Sequence, residues 1–150
     1  MELTKDQQQT IDLALSILEG LYQRESLQAT DPERVKQYCR LNLAHLEHEV
    51  FAVLLLDQKH RLISFETLFR GTIDGASVYP REVAKIVLQA NAAAVILSHN
   101  HPSGIAEPSR ADLAITQRLI EVLRLLEVRV LDHIIVGADY AYSFAQHGKL

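Results

Sequence analysis

Residues 92–104 read Ala-Ala-Ala-Val-Ile-Leu-Ser-His-Asn-His-Pro-Ser-Gly and decide the fold of this 150-residue chain. The apolar half, which ends at Leu97, lies between Asn91 and a polar turn that contains Pro and Gly, a pattern typical of a buried strand. Two histidines, His99 and His101, follow that apolar half. The pattern therefore predicts a central strand, over about Val95–Ser98, with two imidazoles just past its end.

A carboxylate follows these histidines at a short distance along the chain. Asp112 comes after His101 with ten residues between them. Imidazole and carboxylate are ligands of zinc, and a catalytic zinc commonly has three protein ligands and keeps a fourth position for water. The candidate ligands are His99, His101 and Asp112, and the cofactor they indicate is Zn²⁺.

Each half of this pattern also has a purely structural interpretation. Asn, Pro, Ser and Gly favour turns, so residues 98–104 can form an ordinary polar turn. Ser109 and Asp112 have the spacing of a helix capping box, ahead of the apolar Leu113. The capping box is compatible with a metal site, because a helix start can direct both side chains toward the loop that carries the histidines.

The same residues resemble a known metalloprotease motif. His99-x-His101, seven residues, Ser109, two residues and Asp112 match the JAMM (MPN-domain) pattern His-x-His-x7-Ser-x-x-Asp at every position. The sequence around the histidines, and Leu-Asp-His-Ile-Ile-Val-Gly at 131–137, resemble the RadC-type bacterial branch called UPF0758. The resemblance extends from about Val35 to the C-terminus, and it suggests a short form without the helix-hairpin-helix region of full-length RadC proteins.

The resemblance implies both a fold and a reaction. The fold is an α/β, three-layer MPN (cytidine-deaminase-like) domain with a mixed β-sheet flanked by helices. The reaction is zinc-dependent hydrolysis of a peptide or isopeptide bond. The family pattern assigns the general acid/base to Glu49 and the support of the tetrahedral intermediate to Ser109. Glu66 on the next strand and, less directly, Glu47 are alternatives for the glutamate.

Composition indicates the compartment and the kinds of partner to expect for the protein. Hydrophobic residues make up 48% and charged residues 23% of the chain, as in ordinary globular domains. No apolar run reaches membrane-spanning length, no signal-peptide pattern is present, and Cys39 is the only cysteine. We therefore expect a cytoplasmic protein without a membrane partner. The net charge of −4 argues against strong non-specific binding of nucleic acid, although a local basic groove would permit it.

Two further functions stay open at this point. One is a DNA repair or recombination accessory protein or nuclease, as the historical RadC name suggests. The other is a metal-stabilised interaction module without turnover, which a missing or misplaced glutamate would favour. The sequence specifies neither the peptide or protein substrate nor the oligomeric state.

Hydrophobic spacing predicts the remaining organisation of the chain. Residues 1–30 form an N-terminal helix and connector, and residues 31–150 form the RadC-like domain. The first helix runs from Lys5 to Arg24, and a second begins at Asp31 and Pro32. His133, inside an apolar strand, is expected to have a structural or ligand-supporting role, whereas His45 and His48 are expected at the surface. The other predicted elements are strands at 50–56, 61–69, 128–136 and 140–144 and helices at 81–89 and 109–126.

Overall fold

The computed structural model describes residues 2–24, 31–71 and 78–150, which form helices and strands in mixed order. The helices are α1 (Lys5–Arg24), α2 (Pro32–Leu43), α3 (Pro80–Gln89) and α4 (Arg110–Leu125). The strands are β1 (Val50–Leu56), β2 (Leu62–Arg70), β3 (Ala94–Asn100), β4 (Arg129–Val136) and β5 (Ala141–Ser143). The connector predicted at 25–32 and the loop predicted at 71–77 lie mostly outside the described residues.

The strands form one mixed sheet in the order β2-β1-β3-β4-β5. Strand β3 runs antiparallel to β1 and parallel to β4. The parallel pair is connected through α4, since parallel neighbours need a long crossover. Every residue of β1 and of β3 is buried, as expected for central strands that are covered on both faces.

Helices cover both faces of the sheet. On one face, α1 and α2 pack on the sheet through a cluster that includes Tyr38, Leu43, Leu54, Ile96 and Ile134. On the other face, α3 and α4 contribute to a second cluster, which includes Val53, Val83, Leu97, Leu119 and Leu123. The predicted three-layer α/β architecture with a mixed sheet is confirmed.

The first helix packs against the rest of the domain. Leu15 and Leu18 contact the α2 side of the core, and the Tyr38 hydroxyl donates a 2.8 Å hydrogen bond to Glu19. The division into residues 1–30 and 31–150 stays a prediction. No described helix combines the length and the hydrophobicity needed to cross a membrane.

The central strand is longer than its apolar pattern indicated. Strand β3 continues to Asn100, so the prediction that His99 lies past the strand end was wrong. His99 pairs with Phe51 of β1 and with Ile135 of β4. Strands β1 and β4 both continue to pair with β3 beyond Leu97. This pairing holds the polar residues at the end of β3 in extended conformation. His99 is thus fixed within the sheet, and His101 is the first residue after the strand, which ends at Asn100.

Candidate metal centre

Three polar side chains converge where β3 ends and α4 begins. They are His99 on β3, His101 in the following loop and Asp112 in the first turn of α4. One ligand atom from each residue lies within 4.8 Å of those of the other two. The structure therefore brings the three predicted ligand residues together.

The distances within this group suit a small divalent ion. The two histidine Nε2 atoms are 2.9 Å apart. Asp112 places Oδ1 3.2 Å from His99 Nε2 and Oδ2 3.2 Å from His101 Nε2. In a tetrahedral zinc site with bonds of about 2.1 Å, neighbouring ligand atoms are separated by about 3.4 Å. The group can bind a metal ion without large movement of its side chains.

Asp112 is oriented by the start of its own helix. Ser109 Oγ accepts a hydrogen bond from the Asp112 N–H at 3.1 Å, and Asp112 Oδ2 accepts one from the Ser109 N–H at 2.8 Å. This is the predicted capping box, and it directs the carboxylate toward the histidines. Burial alone would raise the pKa of Asp112, but the adjacent imidazoles of His101 and His99 hold that pKa well below its usual range. The ligand is therefore a carboxylate anion at neutral pH.

His101 is held in one orientation by backbone groups. The backbone N–H of His101 donates to the Val136 carbonyl at 2.8 Å, and the ring Nδ1 lies 2.7 Å from the Ile105 carbonyl oxygen. A carbonyl can only accept, so Nδ1 carries the hydrogen and Nε2 keeps its lone pair toward the metal site. In the protonated ring Nε2 also carries a hydrogen, and its hydrogen bond to Asp112 raises the pKa of His101. A metal ion bound there competes with a proton.

Two glycines let the loop after His101 lie directly on the end of β4. Gly104 has a φ of +89°, a left-handed conformation that side chains disfavour. A Cβ on Gly137 would lie 2.6 Å from the Gly104 carbonyl oxygen and 3.0 Å from the Ala106 Cβ. Glycine at both positions therefore allows the close backbone approach that fixes the loop carrying His101.

Glu49 lies beside this group. Phe51 and His99 form the last pair of the antiparallel ladder between β1 and β3. Glu49 and His101 each lie two residues beyond that pair, and the same register continued would bring them opposite each other. After the hydrogen bond to Asp112 and that to the Ile105 carbonyl, the Glu49 carboxylate also raises the pKa of His101. The side chain is partly exposed, and it can therefore exchange protons with water.

The two alternative glutamates lie less favourably. Glu66 pairs with Val53, which is four residues from Glu49, or about 13 Å along the strand at about 3.3 Å per residue. Glu47 is exposed in the bend that precedes β1. The sheet register thus favours Glu49 over Glu66 as the carboxylate nearest the ligands, and its catalytic role stays a prediction.

Asn100 has a function in the site that the sequence did not indicate. Its Oδ1 accepts a hydrogen bond from the Val50 N–H at 2.8 Å, and its Nδ2 donates to the carbonyls of His48 at 3.0 Å and Leu46 at 3.4 Å. The residue is only 2% exposed. Since Asn is common in turns, sequence alone suggested only a turn former. In the structure its amide fastens the segment that contains Glu49 to the strand that carries His99.

His133 lies directly behind His99. It is completely buried, and its Nε2 is 2.8 Å from His99 Nδ1. Burial lowers the pKa of His133 well below its usual value, so the ring is neutral. The position agrees with a ligand-supporting role. His45 and His48, by contrast, lie outside the group of converging ligand residues.

Comparison with known proteins assigns the family. Residues 29–149 match a family model described as "RadC-like JAB domain". The chain belongs to the RadC-like JAB family. The family expected from the His-x-His motif is therefore confirmed, and the matched region of this RadC-like JAB domain contains Glu49 and all three candidate ligands.

Similar proteins are known from several bacteria under the name UPF0758 protein. One from Vibrio cholerae serotype O1 is 56% identical over 140 residues, which are 93% of this chain and 87% of that protein. Others, from Leptothrix cholodnii and Nitrosococcus oceani, are 60% and 61% identical over 119 and 121 residues. This RadC-like JAB chain spans about half the length of those two, since the matches cover 54% of each.

Proposed function

We propose that this domain is a zinc-dependent hydrolase that cleaves a peptide or isopeptide bond, with Glu49 as the general acid/base. One observation carries the proposal. Two imidazole nitrogens and a carboxylate oxygen converge within 4.8 Å, and the Glu49 carboxylate lies close enough to raise the pKa of His101.

His99, His101 and Asp112 would hold the metal ion. A zinc ion bound by them supplies Lewis acidity, which polarises a carbonyl group and lowers the pKa of water. His99 and Asp112 are almost inaccessible, whereas the His101 side chain is 14% exposed. Substrate therefore approaches from the side of His101, which is also the side of Glu49.

Glu49 would transfer the protons of the reaction. Its carboxylate accepts a proton from the attacking water and delivers it to the departing amine, as general acid/base catalysis of amide hydrolysis requires. Partial exposure of Glu49 keeps the carboxylate in contact with both water and substrate. Loss of such a group typically costs about 10²–10⁴-fold in rate.

Ser109 would stabilise the developing oxyanion. Its oxygen already accepts from the Asp112 N–H, so the hydroxyl hydrogen can be donated to the carbonyl oxygen of the substrate as negative charge develops there. One donor of this type contributes about 10²–10³-fold in rate. The capping box thus orients both a ligand and a donor.

The test is cleavage of a mixed peptide and isopeptide library by zinc-reconstituted protein, with Glu49→Gln and Glu66→Gln as a matched pair. We expect cleavage by wild type and by Glu66→Gln, and a loss of about 10² or more in Glu49→Gln. If only Glu66→Gln loses cleavage, Glu66 rather than Glu49 is the general acid/base. Absence of any peptide cleavage, together with metal-dependent cutting of DNA, would replace the peptidase proposal with the nuclease alternative.

A further inference from the structure

A chain of three hydrogen bonds connects two of the proposed ligand residues behind the metal site. Thr116 Oγ1 lies 2.6 Å from the Asp112 carbonyl oxygen. The same hydroxyl lies 2.6 Å from His133 Nδ1, and His133 Nε2 lies 2.8 Å from His99 Nδ1. The chain starts in α4, passes through β4 and ends on β3.

Because His133 is completely buried, its ring is uncharged, and only one arrangement of hydrogens then satisfies all three contacts. The Asp112 carbonyl accepts and cannot donate, so the Thr116 hydroxyl gives it its single hydrogen. Thr116 must then accept from His133, which places the hydrogen of the neutral His133 ring on Nδ1. The remaining His133 nitrogen, Nε2, accepts in turn from His99, whose Nδ1 therefore carries a hydrogen.

This arrangement selects the ligand atom of His99. With Nδ1 protonated, the neutral ring keeps its lone pair on Nε2, the atom that faces His101 and Asp112. We propose that His133 is a positioning residue which, together with Thr116, fixes the tautomer and the orientation of His99 for metal binding. The inference rests on the proposed metal site and extends it to two residues that do not contact the ion.

The surroundings of His133 fit this role. Its ring stacks on Phe144 with centroids 4.6 Å apart and forms a T-shaped pair with Phe51, whose centroid is 5.8 Å away. These rings leave little freedom for His133 to rotate, so its Nε2 stays directed at His99. His101 has a simpler acceptor, the Ile105 carbonyl. The acceptor for His99 is the His133 side chain, which is itself oriented by the Thr116 side chain. Substitutions at His133 and at Thr116 can therefore both alter the orientation of His99.

Zinc affinity measured by competition with a chromophoric chelator tests the inference without a substrate. His133→Leu removes the acceptor and should weaken zinc binding by about 10–100-fold, the usual effect of losing a group that orients a ligand. His133→Gln can place an amide oxygen near the position of Nε2 and should recover most of the affinity. Thr116→Val should weaken binding, and Thr116→Ser, which keeps the hydroxyl, should restore it.

Ile134→Ala is the matched control for loss of packing. Ile134 is the next residue of β4, is fully buried and packs on the opposite face of the sheet. The control should lower the unfolding temperature and leave the zinc affinity of the folded protein unchanged. If Ile134→Ala weakens zinc as much as His133→Leu does, the effect is general destabilisation and the inference is overturned. Should His133→Leu not fold, the Thr116 pair decides in the same way.

Nitrogen-15 NMR of the zinc-bound protein gives a second, independent readout. The inference requires both His99 and His133 to be protonated on Nδ1, and a hydrogen on Nε2 of His133 would overturn it. The two proposals also fail differently. If wild type binds no zinc, the metal site itself is wrong and the inference falls with it. If wild type binds zinc and His133→Leu binds it equally well, only the role of His133 is wrong.

Discussion

Replacing Asn100 with alanine would release the segment that carries Glu49 from the central strand. The buried Val50 N–H would lose its 2.8 Å partner, and the carbonyls of His48 and Leu46 would lose donors at 3.0 and 3.4 Å. An unsatisfied buried N–H costs about 1–3 kcal/mol, and the bond to His48 adds about 1 kcal/mol. The bond to Leu46 is long and adds little. We expect the free energy of unfolding to fall by about 2–4 kcal/mol.

Urea unfolding of the metal-free protein measures this loss, with Asn42→Ala as the control. Asn42 donates one 3.0 Å hydrogen bond, to the Tyr38 carbonyl, and is partly exposed, so its replacement should cost about 1 kcal/mol or less. Amide exchange at Val50 should also accelerate in Asn100→Ala. If Asn100→Ala costs no more than Asn42→Ala and exchange at Val50 is unchanged, the role assigned to Asn100 is wrong.

Two other properties are open to direct measurement. Gly137→Ala places a Cβ 2.6 Å from the Gly104 carbonyl oxygen, whereas Gly20→Ala meets nothing within 4 Å. Thermal unfolding should show the first destabilised by about 1–3 kcal/mol and the second, inside α1, stabilised by about 0.5–1 kcal/mol; a shift of the same sign in both would contradict this. Because Asp112 raises the pKa of His101, protons compete with zinc there. Zinc affinity should therefore begin to fall above about pH 6.5, the usual histidine value, and should keep falling on further acidification; chelator competition that shows no pH dependence would contradict it.

Much of the fold could be predicted from local sequence patterns. The apolar run at 50–56 and the alternating run after it predicted β1 and β2 to within a residue or two, because hydrophobic periodicity reflects burial directly. Asp31 and Pro32 marked the start of α2, where Asp31 accepts from the Glu33 and Arg34 N–H groups. Ser109 likewise marked the start of α4. Such caps are local, so a few residues suffice to recognise them.

The contacts that organise the site are not local, and sequence could not supply them. His99 and His133 are 34 residues apart, and Asn100 and Val50 are 50 residues apart. Polar residues after Leu97 indicated a strand end because an unsatisfied polar group is costly to bury. His99 and Asn100 nevertheless stay in the strand, since partners from distant segments satisfy their side chains. Similarly, local sequence leaves Glu49 and Glu66 as alternatives for the general acid/base, and only their positions in the sheet distinguish them.

Metal content tests the central claim most directly. Wild type, His101→Ala and Glu49→Gln would be purified without chelator, incubated with zinc, freed of excess ion and examined by elemental analysis. The proposed site predicts about one zinc per chain in wild type and in Glu49→Gln, and a strong loss in His101→Ala, because the proposal makes His101 a ligand and leaves Glu49 outside the ligand set. Zinc that fails to bind wild type, or that binds folded His101→Ala equally well, would contradict the assignment of this group as the metal centre.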